Sequence, residues 1–423
     1  DLVNWTHHPL TVPITDQWEG SICTGSFFHH EETYYAFFAT RAADVSAPDG
    51  RTYKLRKQYP AYAISPDGFN FTKQKPNPLF ILPEDVYGDA CRDPVVIQNE
   101  DTGLFHMYLT SELNEKGPDG KSIPCLAHLT SNDLKNWELQ DPVLTDRAPE
   151  CPDLFKWGDL YYLITHWSND EDYRIADSPD GPWRPVPNPG LRKLSPGVPH
   201  VPKSAEFTGN RRLLCSFTRG LGYAGYSVFH ELKQAEDGSL YETFVPEMRP
   251  QTRPAIPLSE GFLGGTEEMA MDEFPKSCRI KLDLAFDQDL LEKAKADNKP
   301  CIFELRIEAV GDENGRKPFV FRVDPNNRRI MVDDWQKWWE KGRRNMLFRK
   351  DGATFDMYAV RNFVDIGFEE KQTFARLLPS GPHPFRLVIR PAGKAITVKS
   401  FEVLPIENPS MARANPSSSK TLP

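Results

Sequence analysis

Four times in the first 250 residues an aromatic-rich run ends in threonine. The runs are Thr33-Tyr34-Tyr35-Ala36-Phe37-Phe38-Ala39-Thr40, Leu104-Phe105-His106-Met107-Tyr108-Leu109-Thr110, Leu160-Tyr161-Tyr162-Leu163-Ile164-Thr165 and Arg212-Leu213-Leu214-Cys215-Ser216-Phe217-Thr218. Each follows a turn: His30-Glu31-Glu32, Glu100-Asp101-Thr102-Gly103, Trp157-Gly158-Asp159 and Thr208-Gly209-Asn210. Each turn follows a short run: Thr24–Phe28, Asp93–Val96, Pro152–Phe155 and Lys203–Phe207. Aromatic and β-branched residues fit a pleated strand, and the polar turns close it, so each set predicts a hairpin.

A second signature closes the units. It is Asp1-Leu2-Val3-Asn4-Trp5, Ser65-Pro66-Asp67-Gly68-Phe69-Asn70-Phe71, Ser131-Asn132-Asp133-Leu134-Lys135-Asn136-Trp137 and Ser178-Pro179-Asp180-Gly181-Pro182-Trp183. The markers at 1, 67, 133 and 180 lie 66, 66 and 47 residues apart. Four strands per unit at such a period predict propeller blades. The hairpins give four blades, at roughly 20–80, 88–145, 148–195 and 199–248, and the signature at residue 1 closes an earlier one. The expected fold is therefore all-β: a five-bladed β-propeller over 1–250, its first blade truncated. A four-bladed closure using residues 1–18 as an edge strand is less economical.

The repeat stops near residue 250, where runs such as Arg279–Phe286, Cys301–Ile307, Phe319–Val323 and Phe385–Arg390 alternate apolar with polar. Period-two alternation means sheets with one wet face, so a β-sandwich is expected over 251–405. Asp287–Asn298 reads as a single helix, and 406–423, rich in Pro, Ser and Asn, as a C-terminal tail. The 38 prolines and 27 glycines of this 423-residue chain agree with many short strands.

The net charge of −9 argues against nucleic acid or an anionic membrane as the partner, and no apolar run is long enough to span a bilayer. Seven cysteines at scattered positions show no metal spacing, and there is no Gly-rich phosphate loop. No metal and no cofactor are expected. The first residues are not a signal peptide; a secreted or periplasmic setting is slightly favoured.

The leading residues of a blade's first strand look into the axial pocket. Glu150, in Pro149-Glu150-Cys151-Pro152, and Asp93, in Arg92-Asp93-Pro94, are read as equivalent positions in neighbouring units, facing one another there. A pair of convergent carboxylates is what glycosidic cleavage requires, one to protonate the leaving oxygen and one to balance oxocarbenium charge. The prolines around Glu150 suggest a partly desolvated acid, and Arg92 would hold Asp93 ionised. The plainer reading is that acids at strand starts serve turns and that Arg–Asp pairs are structural. His166 could reach a sugar, or be a satisfied histidine beside the core. Trp18 and Trp5 could stack on a sugar ring, or pack between blades.

Asp-Leu-Val-Asn-Trp-Thr-His-His-Pro-Leu at 1–10, Cys-Thr-Gly-Ser at 23–26, Arg-Asp-Pro at 92–94 and Glu-Cys-Pro-Asp-Leu-Phe at 150–155 occur in order. Together they resemble glycoside hydrolase family 32, the invertases, inulinases and levanases, over about residues 1–250. The resemblance implies a five-bladed propeller with a β-sandwich and retaining hydrolysis of β-fructosides such as sucrose or fructan. It makes Glu150 the general acid/base and Asp93 the transition-state stabiliser that binds fructose hydroxyls. Arg92 and Cys151 match their motif neighbours, and Ser26 lies in the small-residue motif lining the pocket. It implies a carbohydrate substrate, and sandwiches of this type often contribute to a homodimer.

One element departs from the family. Its nucleophile is an Asp in an Asn-Asp-Pro-Asn-Gly type motif, and the 423 residues contain none. Pro149 also stands where a Trp is common. Asp16 and Glu19 are weak substitutes for the nucleophile. The alternatives are a carbohydrate-binding pseudo-enzyme and an arabinosidase-like propeller hydrolase.

Overall fold

The computed structural model describes residues 2, 4–43, 57–146, 149–167, 170–194, 200–218, 225–258, 263–311, 318–332, 348–360, 362–378 and 384–407. Most of the expected tail, from residue 408, lies outside the described residues.

Four antiparallel sheets follow one another, each laid down in chain order. The first contains β1 (Glu19–His30), β2 (Thr33–Ala42), β3 (Gln58–Ser65) and β4 (Thr72–Lys73). The second contains β5 (Tyr87–Gln98), β6 (Phe105–Lys116), β7 (Ser122–Ser131) and β8 (Glu138–Val143). The third contains β9 (Glu150–Trp157), β10 (Leu160–Trp167), β11 (Asp170–Ala176) and β12 (Arg184–Pro185), with β13 (Lys193–Leu194) also paired to β11. The fourth contains β14 (His200–Phe207), β15 (Arg211–Phe217), β16 (Ser227–Gln234) and β17 (Leu240–Phe244). The hairpins read from the aromatic runs are β1–β2, β5–β6, β9–β10 and β14–β15.

These runs do not alternate because both faces of the sheets are covered. Phe105 to Ser111 is buried without a break, and so is Tyr161 to His166. The leading strands are neighbours in turn: β1 packs beside β5, β5 beside β9, and β9 beside β14.

The closing turns share one hydrogen-bond pattern. Asp133 Oδ1 accepts from Lys135 N at 2.9 Å and Asn136 N at 2.8 Å, while Ser131 Oγ donates to Asp133. Asp67 repeats this with Phe69 N, Asn70 N and Ser65 Oγ. In the Asp133 turn Leu134 has φ +62° and Trp137 Nε1 donates to Leu134 O at 3.3 Å. At the start of the chain Leu2 has φ +61° and Trp5 Nε1 donates to Leu2 O at 3.2 Å. Leu2 and Trp5 thus repeat the contact that Leu134 and Trp137 make in that turn. The Trp5 ring lies 5.6 Å from that of Phe229 on β16 of the fourth sheet.

The later strands are β18 (Met269–Phe274), β19 (Ser277–Phe286), β20 (Phe303–Ala309), β21 (Phe319–Asp324), β22 (Arg329–Val332), β23 (Gly352–Val360), β24 (Phe363–Phe368), β25 (Gln372–Leu377), β26 (Phe385–Arg390) and β27 (Ile396–Pro405). They form two five-stranded sheets, ordered β18-β26-β20-β21-β22 and β25-β24-β23-β19-β27. On β19 the alternation is exact in outcome: Cys278, Ile280, Leu282, Leu284 and Phe286 are buried, and the residues between them are half-exposed. Their side chains join Phe303, Phe321, Leu387 and Ile389 of the other sheet in one core. The expected helix is α1 (Gln288–Ala296), capped by Asp287, which accepts from Leu290 N at 3.0 Å.

Candidate active site

Every leading strand of the four sheets carries the same irregularity. Ile22 pairs with Thr40 and Gly25 with Phe38, so three residues on β1 match two on β2. The same step occurs at Arg92–Val95 against Thr110–Tyr108, at Glu150–Asp153 against His166–Ile164, and at His200–Lys203 against Phe217–Cys215. These are β-bulges in register with one another. In three of them the inserted residue is left-handed and precedes a proline: Asp93 (φ +57°), Cys151 (φ +48°) and Val201 (φ +56°). Proline has no N–H to leave unpaired, so a bulge is where a strand tolerates it. In the first sheet Gly25 follows the bulge, and a Cβ there would sit 1.9 Å from Phe37 O.

This register corrects the expected equivalence of the two acids. Asp93 corresponds to Cys151, and Glu150 corresponds to Arg92, one residue earlier. The acids still meet, because a bulge brings consecutive side chains toward the same side of the strand. Arg92 spans them: its Nε lies 3.4 Å from Asp93 Oδ2, and its Nη2 is bonded to Glu150 Oε1. Arg92 was expected to hold Asp93 ionised, and the structure pairs it with Glu150 as well. Asp93 Oδ2 also accepts from Cys151 N at 3.3 Å, an N–H shared with Thr110 Oγ1 at 3.1 Å.

The two carboxylates differ in access. The Asp93 side chain is 4% exposed and that of Glu150 is 44% exposed. The desolvation expected of Glu150 from its proline neighbours is therefore not what the fold provides. His166 is buried and stands opposite Glu150 in the β9–β10 ladder. Burial first, and then the Asp93 charge, push the Cys151 thiol well up, so it stays protonated as a small packing group.

Ser26 and Trp18 are placed elsewhere. Ser26 corresponds in register to Val96 and Leu154, both buried side chains, and is itself half-buried. Trp18 is fully buried, edge-on to Tyr59, in a small cluster with Ala42, and so has no face to offer a sugar.

Glu19 is equally committed to structure. Its buried carboxylate accepts from Thr15 N at 2.9 Å, Asp16 N at 3.1 Å and Asn77 Nδ2 at 3.2 Å, and it pairs with Lys73. Burial works to raise its pKa, but the Lys73 and backbone bonds overcome this and lower it. Asp16 is held to the same cluster by Asn77 Nδ2 at 3.1 Å.

Thr110 and Lys203 were not singled out from the sequence. Thr110 is the threonine that ends an aromatic run, and the bulge places it opposite Arg92. The recurrence of that threonine was the available signal. Lys203 Nζ donates to Pro152 O at 2.6 Å across the third and fourth sheets, a contact that no local pattern reveals.

Residues 1–172 match the Glycosyl hydrolases family 32 N-terminal domain. The match covers the part of the chain whose motifs at 23–26, 92–94 and 150–155 resemble glycoside hydrolase family 32. The chain is 28% identical over 172 residues to a probable sucrose-6-phosphate hydrolase of Psychromonas ingrahamii, covering 39% of this chain and 28% of that protein. It is 29% identical over 160 residues to a fructan 6-exohydrolase of Triticum aestivum, covering 37% and 26%. These alignments span little more than a quarter of the curated relatives' length, 28% and 26%. Among solved structures, fructan 1-exohydrolase IIa of Cichorium intybus aligns with 96% of this chain and 88% of its own at a TM-score of 0.68 and 15% identity. The Bombyx mori family 32 β-fructofuranosidase aligns with 94% and 80% at a TM-score of 0.62 and 16% identity. At such identities these two likenesses concern the fold, which extends the family's architecture through the two C-terminal sheets.

Proposed function

We propose that this protein is a β-fructosidase that acts on sucrose or a fructan with retention, using Glu150 as acid/base and Asp93 as transition-state stabiliser. The observation that carries the reading is the Arg92 guanidinium joined to both carboxylates, which the leading strands of adjacent sheets present. Glu150 is the accessible acid and suits proton transfer to the departing glycosidic oxygen, then from the incoming water. Asp93 is enclosed and tethered by Arg92 and by Cys151 N–H, so it suits binding sugar hydroxyls and balancing positive charge at the anomeric carbon.

The proposal includes a five-bladed plan. The turn at residues 2–5 repeats the blade-closing turn of Asp133–Trp137, and Trp5 packs on the fourth sheet. That supports a blade lying between the fourth sheet and the first. In the family's order the nucleophile belongs on that blade's inner strand. The involvement of Glu19 with Lys73, Thr15, Asp16 and Asn77 argues against it as a substitute. The second reading is carbohydrate binding without turnover.

Incubation with sucrose, inulin and levan, with fructose release measured, tests both readings. Release of fructose that falls at least about 100-fold in Glu150→Gln, with an unchanged circular dichroism spectrum, supports the acid/base assignment. Equal turnover by that variant refutes it. Saturable binding without product selects the second reading.

A further inference from the structure

Two successive residues of β14 hold two successive residues of β9. Lys203 Nζ donates to Pro152 O at 2.6 Å. Ser204 donates to Asp153 Oδ2 through its backbone N at 3.0 Å and through Oγ at 2.6 Å. Arg212 completes this brace: its guanidinium lies 3.9 Å over the Phe155 ring, and Nη1 donates to Ser204 Oγ at 2.8 Å.

The Lys203 contact falls at a special point. Pro152 follows the left-handed Cys151, so its carbonyl belongs to the bulge that turns Glu150 toward Arg92. A bulge takes its peptide groups out of the ladder, and proline cannot donate. The orientation of this segment must come from outside its own sheet. On one side the second sheet supplies it, through Asp93 Oδ2 and Thr110 Oγ1 on Cys151 N. On the other side the fourth sheet supplies it, through a charge-assisted bond to Pro152 O.

We propose that Lys203 is a positioning residue: its ammonium fixes the Cys151–Pro152 bulge and thereby the direction in which Glu150 is presented. What Glu150 does there rests on the fructosidase reading; the strut itself does not. Misplacement of an acid by a fraction of an ångström lowers turnover more than binding, since proton transfer needs tighter geometry than substrate contact does.

A second readout is independent of turnover. The Cys151 thiol faces Asp93, Glu150 and Lys203; burial and the two acids push it up, and Lys203 pulls it back. If the ammonium holds the bulge, its removal frees the Cys151–Pro152 segment and the thiol labels faster. General loosening of the fold would also speed labelling of the buried Cys91 and Cys125 thiols of the second sheet, so the pattern of labelling separates the two.

The test compares wild type, Lys203→Met and Lys203→Arg. Iodoacetamide labelling of the Cys151 peptide is followed by mass spectrometry, and kcat and KM are measured on sucrose. The strut predicts Cys151 labelling raised several-fold in Lys203→Met, with Cys91 and Cys125 unchanged, and restored in Lys203→Arg. It also predicts kcat lowered about ten-fold with KM little changed. Cys151 labelling that is unchanged in Lys203→Met, or that rises together with Cys91 and Cys125, overturns the strut. Faster Cys151 labelling with unchanged kcat in an active enzyme overturns its positioning role. If the wild type hydrolyses no fructoside, the fructosidase reading fails, and labelling alone decides whether the strut exists.

Discussion

His230 ties the fourth sheet to the C-terminal sheets, and its charge can be read from hydrogen-bond directions alone. It is fully buried on β16. Its Nε2 lies 3.0 and 3.2 Å from the two oxygens of Asp365 on β24, and its Nδ1 lies 3.0 Å from Thr373 Oγ1 on β25. Thr373 spends its one hydroxyl proton on Glu242 Oε2 at 3.1 Å, so toward His230 it accepts. With Glu242 ionised, both ring nitrogens donate, which is the hydrogen-bond pattern of an imidazolium. Burial works against that charge, but the attraction and hydrogen bond of Asp365, helped by Glu242, override it and raise the pKa from 6.5. A histidine raised in the folded state contributes its full stability below the unfolded pKa. The contribution fades as pH rises through the folded value.

The perturbation is Asp365→Asn, which keeps the shape and removes the charge. Loss of one partner of a buried ion pair costs about 3 kcal/mol or more at pH 6, where wild-type His230 is charged. As pH rises through the folded value the wild type itself loses this attraction, and the difference between the proteins should shrink toward about 1 kcal/mol, that of a neutral hydrogen bond. Urea unfolding followed by tryptophan fluorescence across a pH series from 6 upward is the assay. The midpoint of the variant should fall by about 1 M at pH 6 and by less at each higher pH. A drop that stays the same throughout the series would refute the imidazolium assignment, and one that grows with pH would reverse its sign.

Glu19→Gln should destabilise the protein by about 2 kcal/mol at pH 7, because it removes the charge facing Lys73 and two backbone N–H groups. Since Glu19 has a lowered pKa, that contribution is present above its ordinary 4.5 and disappears as pH falls through the depressed value. The wild-type and variant unfolding curves should therefore converge in acid. Val201→Gly should stabilise by about 1 kcal/mol, because a β-branched residue at φ +56° is strained where glycine is not. A loss of stability in thermal unfolding would show that the Val201 side chain matters more than its backbone.

Much of this was legible before any coordinates. The threonine-ended aromatic runs predicted the hairpins, and the Asp-centred turns were visible from Asp67 and Asp133. So was the alternation of β19, because a sheet with one wet face writes its period into the chain. Short-range chemistry of this kind depends only on neighbours in sequence. The motifs also singled out Glu150, Asp93 and Arg92, which the structure joins in one ion-paired group.

What the sequence did not contain was the register. Arg92-Asp93-Pro94 and Glu150-Cys151-Pro152 invite alignment of acid with acid, but the bulges align Asp93 with Cys151. A bulge is defined by the partner strand, so its phase appears only when Thr110 and His166 are opposite. Trp18 is a similar case: composition permits a sugar platform, and only packing against Tyr59 makes it core. The sequence by itself determined which residues form strands and which acids are candidates for the site. The tertiary structure alone decided how those acids are aimed, because their direction is set by Thr110 of the second sheet and Lys203 of the fourth, residues 41 and 51 positions away from the backbone atoms of Cys151 and Pro152 that they hold.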